Sequence, residues 1–143
     1  MSKSRNMSPN GRRLKDHALI IPHAVLKSPA YRMLSPTGVK LLIDIAGQYK
    51  GFNNGDLHCT MSLMRESGWR SPTTLHKAKR ELLEAGLIER TRDGDIFRGV
   101  SLYAITWRPI DKCINAKTGN PRHDVKPTER ASNLWKDSGR EAA

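Results

Sequence analysis

Apolar residues recur at every third or fourth position in two stretches of the chain, and this spacing predicts two amphipathic helices. The first stretch follows Ser35-Pro36 and the second follows Ser71-Pro72, where serine caps a helix and proline suits its first position. Gly51 and Gly86 close the two stretches, as is typical of helix C-termini. The predicted apolar positions are Val39, Leu42, Ile43, Ala46 and Tyr49, widened by Leu41 and Ile45, in the first helix, and Leu75, Ala78, Leu82 and Ala85 in the second.

A shorter helix is predicted immediately before the second amphipathic helix. Thr60 is its capping residue, apolar side chains follow over 61–64, and Ser67-Gly68 ends it. Two helices joined by a turn of about three residues with glycine at its corner form the helix-turn-helix pattern. Upstream, residues 18–34 predict an apolar lead-in with one or two short helices.

Two stretches rich in β-branched, apolar and aromatic residues follow the second amphipathic helix and predict a hairpin. Residues 87–92 form the first expected strand and residues 100–107 the second, with a turn at 93–95 and a loop that extends towards 99. Residues 57–59 are a candidate for one further, very short strand. The order of these helices and strands along the chain predicts a mainly α protein with a small β wing, which is an α+β fold of the winged helix-turn-helix type.

Composition changes at both ends of this predicted domain. Residues 1–16 are rich in Ser, Asn and Arg, and residues 111–143 show almost no apolar periodicity. Neither end contains enough apolar surface to offset the entropy of ordering it. We therefore expect a flexible basic arm over 1–16, a folded domain over 17–110 and a flexible tail over 111–143. Trp135 in this tail is either part of a small docking motif or, more simply, an exposed side chain.

The net charge indicates a polyanionic partner. The chain has 143 residues and a formal charge of +11, to which residues 17–110 contribute 13 basic and 8 acidic side chains. No apolar run is long enough to cross a membrane, and the polar, basic N-terminus does not resemble a secretory signal. Two widely separated cysteines, Cys59 and Cys113, predict neither a disulfide scaffold nor a zinc ribbon, so a reduced cytoplasmic environment is expected.

Catalytic motifs are not found in the sequence. It contains no P-loop, no G-x-G-x-x-G and no G-x-S-x-G, and its five histidines are scattered. A zinc site built from His58, Cys59, His76 and Cys113 is conceivable in space, but ordinary core or surface roles explain these residues more simply. We therefore expect a binding protein rather than an enzyme, with no metal and no cofactor.

The face of the second amphipathic helix opposite its apolar stripe is basic. Thr73, Lys77 and Arg80 share one ridge of this face, and no acidic residue precedes Glu81 on it. A helix of this kind fits a major groove about 12 Å wide, where its N-terminal residues reach base edges and its first amide groups favour a phosphate. The predicted base contacts are Thr73, Thr74 and Lys77, the predicted contacts shared between bases and phosphates are Arg70, His76, Lys79 and Arg80, and Ser71 is expected at the phosphate-binding helix start.

Arginines in the predicted hairpin and in the N-terminal arm extend this surface. Basic residues that flank a hairpin tip suit phosphates or a narrow minor groove, and a basic arm suits the minor groove. The tip itself, Asp93-Gly94-Asp95, is acidic, and this weakens the interpretation. The arginines concerned are Arg90, Arg92 and Arg98 in the hairpin and Arg12 and Arg13 in the arm.

Three stretches over residues 35–107 together resemble the bacterial winged helix-turn-helix superfamily. They are SPTGVKLLIDIAGQYKG, TMSLMRESGWRSPTTLHKAKRELLEAGLIER and the strand–loop–strand segment that ends in YAITW. Within them, ELLEAGLIER is similar to the end of the family's recognition helix where it runs into the first wing strand. The resemblance implies sequence-specific binding to double-stranded DNA, often as a homodimer on a two-fold site. The chain lacks the long terminal helix with strong heptads that dimeric repressors use.

The expected function is transcriptional regulation by a DNA-binding protein of the cytoplasm, associated with the nucleoid. A protein for replication initiation or partition on a phage, plasmid or integrated element would use the same fold, and the sequence does not separate the two. A protein-interaction adaptor built on a winged domain is a third interpretation, which the basic face disfavours. Exposed aromatic side chains able to stack on bases would favour RNA binding as a fourth interpretation. Trp69 in the turn is the one candidate, and it is more simply explained as a core residue.

Overall fold

The computed structural model describes residues 17–97 and 99–137, and these residues form an α+β structure. Within them, five helices precede a two-stranded antiparallel sheet, and a short 3₁₀ helix follows it. The elements are α1 (His23–Leu26), α2 (Pro29–Arg32), α3 (Pro36–Ala46), α4 (Met61–Arg65), α5 (Pro72–Glu84), β1 (Ile88–Arg92), β2 (Leu102–Ile105) and the 3₁₀ helix (Leu134–Lys136). Among the described residues, no helix combines the length and the apolar character needed to span a bilayer.

Hydroxyl side chains cap the N-termini of α2, α3, α4 and α5. In each case the hydroxyl oxygen accepts a hydrogen bond from the backbone N–H three residues later, which satisfies a donor that the helix itself leaves unpaired. Proline occupies the first turn of α2, α3 and α5. The predicted starts of α3, α4 and α5 are thereby confirmed, and the capping residues of the four helices are Ser28, Ser35, Thr60 and Ser71.

The core lies where α3 and α5 pack against each other. The buried stripe of α5 consists of Leu75, Ala78 and Leu82, as the spacing predicts. The buried side of α3 is rotated relative to the predicted one, because Ile43 is 41% exposed. The apolar surface of α3 is wider than one stripe, so the spacing alone does not decide which of its apolar residues are buried. The elements packed against α3 decide it. The buried residues of α3 are Gly38, Leu41, Leu42, Ile45 and Ala46.

The sheet is a short hairpin that one further residue extends. β1 and β2 are antiparallel, with Ile88 opposite Ile105 and an irregularity in register between Arg90 and Arg92. Leu57 forms an isolated bridge with Tyr103, so the predicted short strand at 57–59 is reduced to a single pairing. Residues 102–107 are all buried, which shows that both faces of the second strand are covered.

The segment 111–137 packs against this domain. Backbone N–H groups of Asp124 and Asn133 donate to the carbonyls of Thr91 and Thr106 at 2.9 and 2.8 Å. Trp135 is only 7% exposed and belongs to the main hydrophobic core. The segment therefore covers the hairpin side of the domain.

This arrangement differs from the flexible tail expected from residue 111 onward. The segment is held by hydrogen bonds to the backbone of other elements and by one large apolar side chain, and such contacts leave no periodic pattern in the sequence. The rest of the expected tail, residues 138–143, and the expected basic arm, residues 1–16, lie outside the described residues.

Candidate nucleic-acid interface

The outer side of α5 and of the turn before it is polar and exposed. Because the apolar stripe of α5 turns inward, Thr73, Lys77 and Arg80 project from the opposite side, spaced so that they form one ridge. No acidic residue lies in the first turn of the helix. Seven of the predicted contact residues are exposed together here, namely Arg70, Ser71, Thr73, Thr74, His76, Lys77 and Arg80.

Glu81, the first acidic residue of α5, is held away from this ridge. Its carboxylate accepts a hydrogen bond from the Ser35 hydroxyl at 2.7 Å and another from the Ser35 backbone N–H. A Cβ atom at Gly38 would lie 2.8 Å from Glu81 Oε1, so the lack of a side chain there makes room for the carboxylate. The negative charge is consequently placed against the N-terminus of α3, where the helix dipole stabilises it.

The charge on the ridge is concentrated at Lys77. Arg80 lies 3.9 Å from Glu84 on the next turn, and both side chains are largely exposed, so this pair is weak but lowers the local positive potential. Among the described residues, no carboxylate forms an ion pair with Lys77 or with Arg70. These two cations are thus available to an anionic partner.

Lys79 lies on the flank of this surface. It is only partly exposed. Burial raises the pKa of Cys59 to about 11, and the nearby charge of Lys79 acts in the opposite direction. The position of Lys79 beside this thiol makes it less suited than Lys77 to a contact with DNA. The thiol itself stays protonated at neutral pH.

The turn between α4 and α5 is anchored by Trp69. Its indole is buried, and Nε1 donates a hydrogen bond of 2.7 Å to Asp44 of α3. Lys40 donates to the same carboxylate oxygen at 2.9 Å and lies 5.7 Å from the indole centroid. Trp69 is therefore a core residue, as the simpler interpretation expected, and its burial leaves Arg70 as the exposed residue that leads into α5.

Arg92 is engaged within the protein. Its Nε and Nη2 atoms donate to the carbonyl of Val100 at 3.2 and 2.6 Å, and its Nη1 atom donates to the carbonyl of Arg122 at 2.9 Å. One guanidinium thus ties the two sides of the hairpin to the segment 111–137. This geometry favours a structural role over the phosphate contact that the sequence predicts.

Arg90 keeps a partly exposed charge at the hairpin. Its Nη1 atom lies 3.2 Å from Asp93 Oδ1, and its guanidinium lies 5.8 Å from the centroid of the Tyr103 ring. Burial acts to lower the pKa of Arg90, but its interactions with Tyr103 and Asp93 outweigh that effect and raise this pKa above the usual value. The guanidinium remains charged, and the neighbouring Asp93 carboxylate lowers the positive potential that it contributes to the surface.

Two apolar residues at the hairpin tip were missed by the sequence interpretation, which considered only the charges there. Ile96 is 92% exposed and Phe97 is 91% exposed. Two adjacent apolar residues in a loop between two predicted strands are visible in the sequence and could have indicated this exposed pair. The remaining predicted contacts, Arg12, Arg13 and Arg98, lie outside the described residues.

The described residues contain no group of three or more His, Cys, Asp and Glu side chains that could hold a metal ion. No protein-family model, no curated protein and no solved structure matches this chain. Its own geometry is therefore the basis for interpreting the surface around α5.

Proposed function

We propose that this protein is a sequence-specific double-stranded DNA-binding protein with a winged helix-turn-helix fold, and that it regulates transcription by occupying its site. In this proposal α4 and α5 are the helix-turn-helix pair and the β1–β2 hairpin is the wing. The protein acts by binding rather than by catalysis.

The observation that carries the proposal is the exposed, positively charged ridge of α5. Lys77 and Arg80 stand on it beside Thr73, while Glu81 is hydrogen-bonded to Ser35 behind it. Glu84, at the end of the ridge, is paired with Arg80, but residues 71–80 contain no acidic side chain. The N-terminal part of the ridge, which would enter a groove lined by phosphates, therefore carries positive charge only. The formal charge of +11 for the whole chain agrees with a polyanionic partner.

The connection between α4 and α5 supports the same proposal. α4 ends at Arg65 and α5 begins at Pro72, so six residues connect the helices where the sequence predicted about three, and Gly68 lies among them at a φ of +94°. A positive φ at glycine allows the chain to reverse sharply between the two helices. Since Trp69 fixes this turn to the core, the N-terminal part of α5 projects from a rigid support.

The chemistry of the ridge is suited to reading a major groove. Lysine and arginine donate to guanine O6 and N7, and threonine contacts either an acceptor or the methyl group of thymine. We assign base contacts to Thr73, Thr74 and Lys77. Arg70 and Ser71 lie at the start of α5, where phosphate contacts fix its register on the duplex, and His76 lies one turn further along the helix.

Selection of bound duplexes from a random pool tests this function. We expect enrichment of a defined sequence and a binding constant that falls with salt, with a slope of about −0.9 per phosphate neutralised on a double-logarithmic plot. The stoichiometry of the selected complex shows whether one chain or a two-fold pair occupies the site. A pool without enrichment, together with binding that is insensitive to salt, would contradict the proposal.

A further inference from the structure

The tip of the β1–β2 hairpin is a closed turn that presents Ile96 and Phe97 at its apex. Asp95 and Gly99 exchange two backbone hydrogen bonds, each of 2.9 Å. The Phe97 backbone N–H donates to Asp95 Oδ1 at 2.8 Å, and the Gly94 N–H donates to the Ser101 hydroxyl at 2.9 Å. The apex is therefore braced by the hairpin beneath it.

Both apex side chains are exposed almost completely, although the protein has a well-formed core. Because both side chains are in water, their apolar surface does not stabilise the fold. Adjacent exposed apolar side chains of this kind favour a contact with a partner at the tip. Two side chains on a convex turn are far too small for a stable protein interface, which needs about 800 Å² per partner. The same two side chains have the size of the apolar wedges with which proteins enter base steps in the minor groove.

The acidic residues beside the apex do not oppose such a contact as strongly as the sequence implies. The Asp95 carboxylate accepts the Phe97 N–H, and the Asp93 carboxylate is paired with Arg90. The Asp95 carboxylate is thus held at the apex by a backbone N–H, and the Asp93 carboxylate lies against Arg90 at the base of the turn. The exposed Arg90–Asp93 pair offsets part of the negative charge beside the apex. Ile96 and Phe97 are the most exposed large apolar side chains among the described residues.

We propose that the hairpin tip is an apolar wedge for DNA, in which Phe97 enters a base step from the minor groove and Ile96 lies against the neighbouring sugars. This inference rests on the proposed function, because the wing must lie on the duplex that α5 reads. Entry unstacks the step and bends the duplex, and pyrimidine–purine steps open most readily. The wedge therefore adds sequence preference at a step that the ridge of α5 does not contact.

The two phenylalanines of the chain provide a matched test. Phe97 is at the apex, and Phe52, which is 68% exposed, lies in the loop between α3 and α4. Phe97→Ala and Phe52→Ala make the same chemical change at exposed positions, and Phe97→Leu keeps an apolar wedge. Each full-length variant is titrated into the selected duplex, in which 2-aminopurine replaces one adenine at a time and fluoresces when it is unstacked.

The wedge predicts that wild-type protein raises the fluorescence at one step. Phe97→Ala should abolish this rise and weaken binding roughly tenfold, in the range measured when a stacking aromatic is removed. Phe97→Leu should restore much of the signal, and Phe52→Ala should match wild type. If wild type binds the duplex with no unstacked step, or if Phe97→Ala behaves like Phe52→Ala, the wedge is wrong while DNA binding stands. If wild type selects no duplex, the proposed function fails and the wedge fails with it.

Discussion

Glu81 of α5 accepts hydrogen bonds from both the hydroxyl and the backbone N–H of Ser35, the residue that caps α3. The same hydroxyl accepts the Gly38 N–H at 3.1 Å, so Ser35 joins the start of α3 to the last turn of α5. This contact sets the position of α5 on the core and also removes the carboxylate from the exposed ridge. One interaction thus serves both the fold and the proposed binding surface.

Loss of the Glu81 carboxylate should destabilise the protein. We expect Glu81→Ala to lower the free energy of unfolding by about 1–3 kcal/mol, because the partly buried donors of Ser35 lose their acceptor. Glu84→Ala is the matched control on the next turn of α5, where only a weak exposed pair with Arg80 is lost. Equal unfolding midpoints in urea for the two variants would show that the contact with Ser35 contributes nothing.

Removal of Trp135 should test whether the segment 111–137 belongs to the folded unit. Trp135→Ala is expected to cost about 3–5 kcal/mol, because a large buried side chain is deleted from the core. Leu134→Ala changes a half-exposed neighbour and should cost far less. Denaturant unfolding followed by circular dichroism measures both, and a Trp135→Ala variant as stable as wild type would mean that the segment is not part of the cooperative fold.

Arg92 should act through its hydrogen bonds and not through its charge. Lysine keeps the charge but cannot form the forked contacts to the carbonyls of Val100 and Arg122. We therefore expect Arg92→Lys and Arg92→Ala to speed limited proteolysis of the segment 111–137 to a similar extent. Arg90→Ala is the control and should leave the cleavage rate near that of wild type. Full protection in Arg92→Lys alone would indicate that charge is the important property.

Both cysteines should react slowly in the folded protein. Burial raises the pKa of Cys59 and of Cys113 from 9.0 to about 11. The thiolate fraction near neutral pH is then about a hundredfold smaller than in the unfolded chain, and alkylation should slow accordingly. The associated stability is fully present below pH 9 and is lost as the pH rises through 11, because the unfolded chain ionises first. Iodoacetamide labelling with and without denaturant measures this, and equal rates would refute it.

Local chemistry explains which parts of the fold could be predicted. Helix starts depend on a hydroxyl cap and a proline within a few residues, so Ser35-Pro36 and Ser71-Pro72 identify α3 and α5 from sequence. The inward stripe of α5 follows from its spacing, and with it the outward position of Lys77. These inferences need no knowledge of the rest of the chain.

Contacts between distant residues explain what could not be predicted. The partner of Glu81 depends on how closely α5 approaches α3 at Gly38, and the role of Arg92 depends on where residue 122 lies. The burial of Trp135 depends on a segment that has little periodic structure of its own. In each case the residue type is consistent with several roles, and only the three-dimensional arrangement selects one.

Lys77 provides the most direct test of the proposed DNA-binding ridge. The affinity of Lys77→Ala for the selected duplex should fall about tenfold or more, since a good base contact contributes about 1–3 kcal/mol of discrimination. Lys112→Ala removes the same charge from an exposed position in the segment 111–137 and should change the affinity less than about twofold, because surface substitutions distant from a binding site are usually within about 0.5 kcal/mol. Equal affinities of the two variants, measured by fluorescence anisotropy at one salt concentration, would contradict the account.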